Sequence, residues 1–191
     1  MSFVTDKASY SWIFDDGLDV ATCVTVIAAG EAEEVLRRFG ADMTSTFDAD
    51  EGEELDAPAG PIAATAVPGG VVTVEPNGFQ GSLEDVLLRV AGEGVAASAF
   101  WNVNDDSLFI AVRGGEVVVS VDMYEFLEAG DPEVLDEIGL PDELHDLCRA
   151  AAEAQEQPWA TGLAMAEVFT GVPIPREAVV EPAAFHLFRQ D

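Results

Sequence analysis

The side chains best suited to metal or thiol chemistry are a histidine and two cysteines. His145 and Cys148 are three residues apart, which places them on neighbouring positions of one helical face. Such a pair could bind a metal ion or generate a reactive thiolate. Cys148 belongs to an apolar helical stripe, however, and Cys23 lies in an apolar run, so we expect two buried thiols and no disulfide or zinc site.

Motifs of nucleophilic and nucleotide-binding enzymes are missing from the sequence. It has no G-x-S-x-G elbow, and His145 and His186 are the only imidazoles that could act as bases. The glycine-rich pieces at Gly69 and Gly114 lack the Lys and Ser or Thr of a phosphate-binding loop. We therefore expect no catalytic residues and no cofactor, and lean towards a protein that is not an enzyme.

Carboxylates are the remaining groups that could carry chemistry. Asp48, Asp50 and Glu51, or Asp105 and Asp106, are oxygen ligands of the kind that Ca²⁺ and Mg²⁺ prefer. Their spacing does not fit an EF-hand loop, and nothing singles out a carboxylate pair for glycoside hydrolysis. A solvated run of charge is the simpler interpretation, so no metal site is predicted.

Two clusters combine aromatic and polar side chains at the ends of predicted strands. One is Glu75-Pro-Asn-Gly-Phe79 and the other is Phe100-Trp-Asn-Val-Asn104. An aromatic side chain beside asparagine at a strand end is typical of a recognition surface, although the tryptophan could equally be core and the asparagines turn formers. The candidate binding residues are Glu75, Asn77, Trp101, Asn102 and Asn104, with the acidic Asp48, Asp50, Glu51, Glu53 and Glu54.

Net charge limits the classes of partner. The chain has 37 Asp and Glu against 8 Lys and Arg, a formal net charge of −29. Phosphate repulsion argues against direct nucleic-acid binding, and an anionic membrane surface is disfavoured for the same reason. A basic protein would be attracted. The alternative is that the charge serves only solubility or adaptation to salt.

Length and composition predict one domain over residues 1–191. The chain is 49% hydrophobic, which is too apolar for a disordered acidic tail. The N-terminus lacks the pattern of a secretory signal, and no stretch reaches the ~20 apolar residues of a membrane span. We therefore expect a cytoplasmic protein, and its oligomeric state stays open.

The elements that must position these residues can be predicted from periodicity. The predicted strands cover 20–28, 61–67, 71–75, 95–101, 107–112 and 116–123. Helices are predicted at 31–39 and 82–91, the second capped by Ser82. Residues 42–60 have no apolar period and predict an acidic, mobile loop.

The C-terminal third predicts helices at 131–139, 141–156 and 159–170, followed by a final strand near Ile174 or Val179. The fold class is α+β, with an antiparallel sheet of about five to six strands, two intervening helices and a helical C-terminal third.

Several short segments resemble a family of uncharacterised, mostly actinobacterial proteins, the domain of unknown function 6461. These segments are 23–27 (CVTVI), 34–41 (EVLRRFGA), 74–81 (VEPNGFQG), 100–104 (FWNVN) and 164–172 (AMAEVFTGV). The resemblance implies an α+β domain with no assigned activity, and it supplies no active-site residues.

Three functions remain as hypotheses. The first is a non-catalytic binding or regulatory protein, for example of immunity type, that presents an acidic surface to a basic partner protein. The second is a nucleic-acid mimic whose carboxylates imitate phosphates. The third is an enzyme that uses a carboxylate-bound metal.

Overall fold

The structure, a computed structural model, describes residues 10–47, 60–124, 137–154 and 157–189. An open sheet of eight antiparallel strands has the order β2-β8-β3-β4-β1-β5-β6-β7. The strands are β1 Ala21–Ala28, β2 Ala41–Phe47, β3 Pro61–Val67, β4 Gly70–Pro76, β5 Val95–Asn102, β6 Ser107–Arg113, β7 Glu116–Val121 and β8 Phe185–Phe188.

Six α-helices lie within the described residues. They are α1 Trp12–Asp15, α2 Ala32–Phe39, α3 Glu84–Ala91, α4 Asp142–Ala154, α5 Pro158–Thr170 and α6 Arg176–Val180. A single 3₁₀ turn, Gln80–Ser82, precedes α3. In the described ranges, none of these helices combines the length and apolar character needed to cross a bilayer.

The helices cover both faces of the sheet. The apolar sides of α2 and α3 pack with Ile27, Val71 and Ile110 on one face. The buried side chains of α4 and α5 belong to a second cluster on the other face, together with Val24 and Val72. Residues 22–27 of β1 are consequently all buried, as a central strand covered on both faces requires.

Helix α5 approaches the sheet closely because its contact residue is a glycine. A Cβ added to Gly162 would lie 3.1 Å from the Cβ of Ala99 and 2.3 Å from the Sδ of Met123. The helix is apolar almost all round, with residues 161–166 buried. It therefore forms the centre of the second layer, between the sheet and α4.

The predicted count of five to six strands was too low, because β2 and β8 were missed. The predicted loop at 42–60 was wrong over 42–47, which belong to β2, and residues 48–59 lie outside the described ranges. Strand β2 is half exposed and polar, and Asp42 accepts hydrogen bonds from Thr44, as in a turn. It is a strand because it pairs with β8, more than a hundred residues away, which no local pattern reveals.

Two further details differ from the sequence prediction. The final strand is 185–188, whereas the region of Ile174 and Val179 contains α6. Ser82 does not cap α3, since its hydroxyl donates to the carbonyl of Phe79 and the helix begins after Leu83 without a side-chain cap.

The two helices predicted between strands and the meander β5–β6–β7 are confirmed. Of the predicted helix at 131–139, residues 131–136 lie outside the described ranges.

Candidate functional site

The two aromatic-polar clusters lie at the same end of the sheet. Strand β1 begins there, with Ala21 paired to Asn102 at the end of β5 and Thr22 paired to Pro76 at the end of β4. Strands are about 4.8 Å apart, so the turns after β4 and β5 are separated by roughly 10 Å. We call this region the sheet-end surface: the turn after β4, the β5–β6 turn, α1 with the segment leading into β1, and Tyr124 after β7.

A groove of about 670 Å³ opens at the sheet-end surface. It is bounded by α1, the β5–β6 turn, Tyr124 and the start of α5. Its aromatic lining residues are Phe14, Trp101, Tyr124 and Trp159, and its acidic lining residues are Asp15, Asp19 and Asp105. The volume is in the range of ligand-binding clefts, and flat apolar walls combined with carboxylates are suited to an organic cation.

Trp101 fixes the base of the groove. Its side chain is buried, with 4% exposure, and its Nε1 donates to the carbonyl of Leu18 at 2.8 Å. This bond holds the segment after α1 against the end of β5. On the opposite wall, the hydroxyl of Tyr124 donates to Asp105 at 3.3 Å. Desolvation raises the pKa of Tyr124, and the negative charges of Asp105 and Asp122 raise it further.

Asn102 shapes the β5–β6 turn. Its Oδ1 accepts from the backbone N–H of Asn104 at 2.8 Å and of Asp106 at 3.2 Å, and its Nδ2 donates to the Asp106 carboxylate at 2.9 Å. These bonds use most of the hydrogen-bonding capacity of the amide. Asn102 therefore positions the groove wall, and Asn104 lies exposed in the same turn.

The groove carboxylates have no basic counterpart among the described residues. Six arginines form ion pairs within that part of the chain, namely Arg37–Glu33, Arg38–Glu34, Arg89–Asp85, Arg113–Glu143, Arg149–Asp146, and Arg176 with both Asp16 and Glu181. None of those acidic partners lines the groove. Asp15, Asp19 and Asp105 therefore form no ion pair with any described side chain.

A second polar cluster is buried on the α2–α3 face of the sheet. Glu75, Cys23, Thr25 and Ser98 occupy neighbouring positions on β4, β1 and β5, and each is fully buried. The Glu75 carboxylate accepts the N–H groups of Gln80 at 2.9 Å and Gly81 at 2.8 Å. Burial raises the pKa of Glu75 to about 7, although these two hydrogen bonds act in the opposite direction.

This cluster anchors the 3₁₀ turn. The Cys23 thiol lies 3.2 Å from the Ser98 hydroxyl, and burial, followed by the charge of Glu75, raises its pKa well above the ordinary value. A buried thiol with a raised pKa is a poor nucleophile. Of the sequence candidates, Glu75 is thus placed inside the protein, away from the groove.

The remaining candidate binding residues are divided between the surface and the undescribed part of the chain. Asn77 is exposed in the turn after β4, where its N–H donates to the carbonyl of Ala21 at 3.0 Å. The acidic candidates Asp48, Asp50, Glu51, Glu53 and Glu54 lie outside the described residues. The structure therefore brings Trp101 and Asn102 into one groove and sets Asn77 on the neighbouring turn.

None of the imidazole and thiol groups lines the groove. Nε2 of His145 lies 2.7 Å from the carbonyl oxygen of Leu140, while the Cys148 thiol contacts the sulfur of Met165 at 3.7 Å in the core. Burial raises the pKa of Cys148 to about 12. His186 is buried on β8. Over the described ranges, no group of three or more His, Cys, Asp and Glu side chains is arranged to hold a metal ion.

Sequence reasoning missed most of the groove. Phe14, Asp15 and Asp19 precede β1, whereas Tyr124 and Trp159 are far along the chain. Of the groove residues that were missed, the N-terminal ones carried a local signal, since Phe14 stands beside Asp15 and Asp16 in the sequence. The other residues become neighbours through the pairing of β1 with β5 and the packing of α5.

Comparison with known proteins identifies a family and no function. A sequence model of the family of unknown function DUF6461 matches residues 3–188. The match confirms the resemblance to the domain of unknown function 6461. No curated protein and no solved structure matches the chain.

Proposed function

The chain belongs to a family of unknown function, and from its own residues we propose that it is a non-catalytic binding protein that presents an acidic surface to a basic partner protein. The partner contacts the sheet-end surface. By binding the partner, the protein would regulate or neutralise it, as an immunity protein does.

The observation that carries the proposal is the concentration of exposed apolar side chains at the sheet-end surface. Phe14, Val20, Phe79, Val103 and Tyr124 are between 39% and 69% exposed. Three of them, Phe14, Val103 and Tyr124, line the groove. Isolated exposed apolar residues are ordinary, but a group of them at one end of the sheet marks an interaction surface. Aromatic side chains are also enriched in the centres of protein interfaces.

Charge supports a basic partner. With a net charge of −29, the protein attracts cationic surfaces and repels phosphate backbones and anionic lipids. The described arginines are largely occupied by ion pairs with other carboxylates, so Asp15, Asp19 and Asp105 remain without an ion pair to any described residue. Apolar contact would supply affinity at the sheet-end surface, and the surrounding charge would accelerate association.

Co-purification tests the proposal. Tagged protein isolated from its source cells at low salt is expected to retain a basic protein, identified by mass spectrometry and then purified for titration. Binding should weaken as salt rises, because the Debye length falls from about 30 Å at 0.01 M to about 8 Å at 0.15 M. Retention of no basic protein, or binding that is indifferent to salt, would show that the proposal is wrong.

Paired variants locate the surface. Phe14→Ser combined with Val103→Ser removes two side chains that are 69% and 68% exposed, so folding should be unaffected. Binding of the purified partner is expected to weaken by about tenfold or more, the loss of roughly 1.4 kcal/mol. Val118→Thr, an exposed apolar position in β7, is the matched control and should bind as the parent does.

A further inference from the structure

We infer that the groove at the sheet-end surface receives an arginine-bearing segment of the partner, with the guanidinium held between aromatic side chains and the carboxylates of Asp15, Asp19 and Asp105. This inference rests on the proposed function and specifies the chemistry that the groove recognises.

The composition of the groove selects a cation. The three carboxylates line a cleft whose accessible aromatic walls are Phe14, Tyr124 and the half-buried Trp159, above the buried Trp101. Aromatic faces attract cations through their quadrupole, and the attraction increases when the cation is desolvated. None of the described lining residues is basic, so an incoming cation meets no competing positive charge from them.

Guanidinium fits this groove better than ammonium does. It is planar, it stacks on aromatic rings, and its weak hydration lowers the free energy needed to bring it into an apolar cleft. It can also donate to a carboxylate through two parallel hydrogen bonds. The amide oxygen of Asn102 already accepts two intramolecular hydrogen bonds, so the carboxylates are the natural acceptors for a ligand.

The size of the groove points to a segment of chain as its occupant. About 670 Å³ exceeds the space that one side chain fills, and the groove is open to the neighbouring exposed side chain of Val103. A short stretch of the partner that contains arginine would therefore place the cation in the groove and its own backbone across the β5–β6 turn.

The test uses a peptide of arginine and glycine and two control peptides of the same length. In one control every arginine is replaced by lysine, and in the other every arginine is replaced by citrulline. Citrulline has nearly the same shape as arginine without its charge. Binding is followed by the fluorescence of the tryptophans, two of which line the groove. We expect the arginine peptide to bind at least tenfold more tightly than the citrulline peptide and several-fold more tightly than the lysine peptide. Equal binding of the citrulline peptide would overturn the inference, and equal binding of the lysine peptide would overturn its assignment to arginine.

Matched charge variants separate the groove from the general field of the protein. The groove variant carries Asp15→Asn, Asp19→Asn and Asp105→Asn. The control carries Glu31→Gln, Glu93→Gln and Glu116→Gln, three exposed positions at the opposite end of the sheet. The groove variant should lose tenfold or more in affinity for the arginine peptide, and the control less than twofold. Equal losses in both variants would mean nonspecific attraction and would overturn the inference.

The same variants keep the two proposals distinguishable. If a basic partner from the source cells binds the parent protein and the groove variant equally well, the groove assignment fails and the proposed function stands. If no basic partner is retained at low salt, the proposed function itself fails, whatever the peptide does.

Discussion

At the scale of single residues, Glu75 is the most unusual group in the described structure. It is a fully buried carboxylate that accepts hydrogen bonds from two backbone N–H groups and forms no ion pair with any described residue. Hydrogen bonds from the 3₁₀ turn favour the ionised form, yet burial outweighs them and raises the pKa from 4.5 to about 7. The result is a buried acid that changes its charge near neutral pH while holding the turn beside the sheet-end surface.

The raised pKa predicts how stability depends on pH. Because the folded pKa of Glu75 exceeds its unfolded value, its contribution is fully present below pH 4.5 and is lost as pH rises through about 7. The free energy of unfolding of the parent minus that of Glu75→Gln should therefore be larger at pH 5 than at pH 8, by up to about 3 kcal/mol. Urea titrations of both proteins at the two pH values measure this difference. The glutamine variant shares every other acidic group, so a difference that does not change with pH would contradict the assignment.

Gly81 lies in the 3₁₀ turn that Glu75 holds against the sheet, where there is no room for a side chain. A Cβ at this position would lie 2.1 Å from Thr25 Oγ1 and 3.1 Å from the Cys23 sulfur. Gly81→Ala is expected to destabilise the protein by about 1–3 kcal/mol through overpacking, as measured by urea denaturation. Thr25→Ala removes the closest atom, so adding Gly81→Ala to that variant should have a clearly smaller effect. Equal effects in both backgrounds would show that the close approach is not the cause.

At the scale of elements, α2 and α3 are amphipathic helices whose apolar sides form one of the two cores. Val86, Leu87 and Val90 of α3 pack with Val35 and Leu36 of α2 over the sheet. Short helices are only marginally stable by themselves, so their stability comes from this buried face. The i, i+3, i+4 spacing in the sequence determines which face that is.

Truncation of the buried face of α3 gives a direct test. Leu87 is 0% exposed, and Leu87→Ala should lower the free energy of unfolding by about 2–5 kcal/mol because it leaves a cavity. Leu83→Ala is the control, because Leu83 is 37% exposed and its truncation should change stability by about 0.5 kcal/mol or less. Similar values for the two variants would show that the helix face is wrongly assigned.

At the scale of the whole molecule, two cores are surrounded by an excess of negative charge. Acids outnumber bases by 37 to 8, and the described arginines are largely used in local pairs that are partly exposed. Such exposed pairs contribute little to stability. Repulsion among the remaining carboxylates therefore opposes folding, while the same charge would attract the basic partner that we propose.

Screening of this repulsion should be measurable. Raising NaCl from about 0.01 M to about 0.15 M at pH 7 should increase the Tm, because the Debye length falls by a factor of about four. Near pH 4, close to the sequence pI of about 4.1, the net charge is small and the same salt change should have little effect. Differential scanning calorimetry at both pH values provides the comparison. A Tm at pH 7 that is flat or falls with salt would contradict a dominant role for repulsion.

The sequence by itself determined the elements whose signal is local. Strand β1, the helix predicted at 31–39 and the β5–β6–β7 meander follow from apolar period and turn residues within short windows. It also determined the net charge of −29, on which the proposal of a basic partner rests.

Tertiary structure alone decided the edge of the sheet and the groove. Strand β2 became a strand only by pairing with β8, and Trp101 became the base of a groove only when α1, Tyr124 and the start of α5 closed around it. Glu75, an apparent surface residue at a strand end, was buried because the 3₁₀ turn folded over it. The physical reason is common to all three: each depends on contacts between segments distant in sequence, and a periodic pattern reports only on neighbours along the chain.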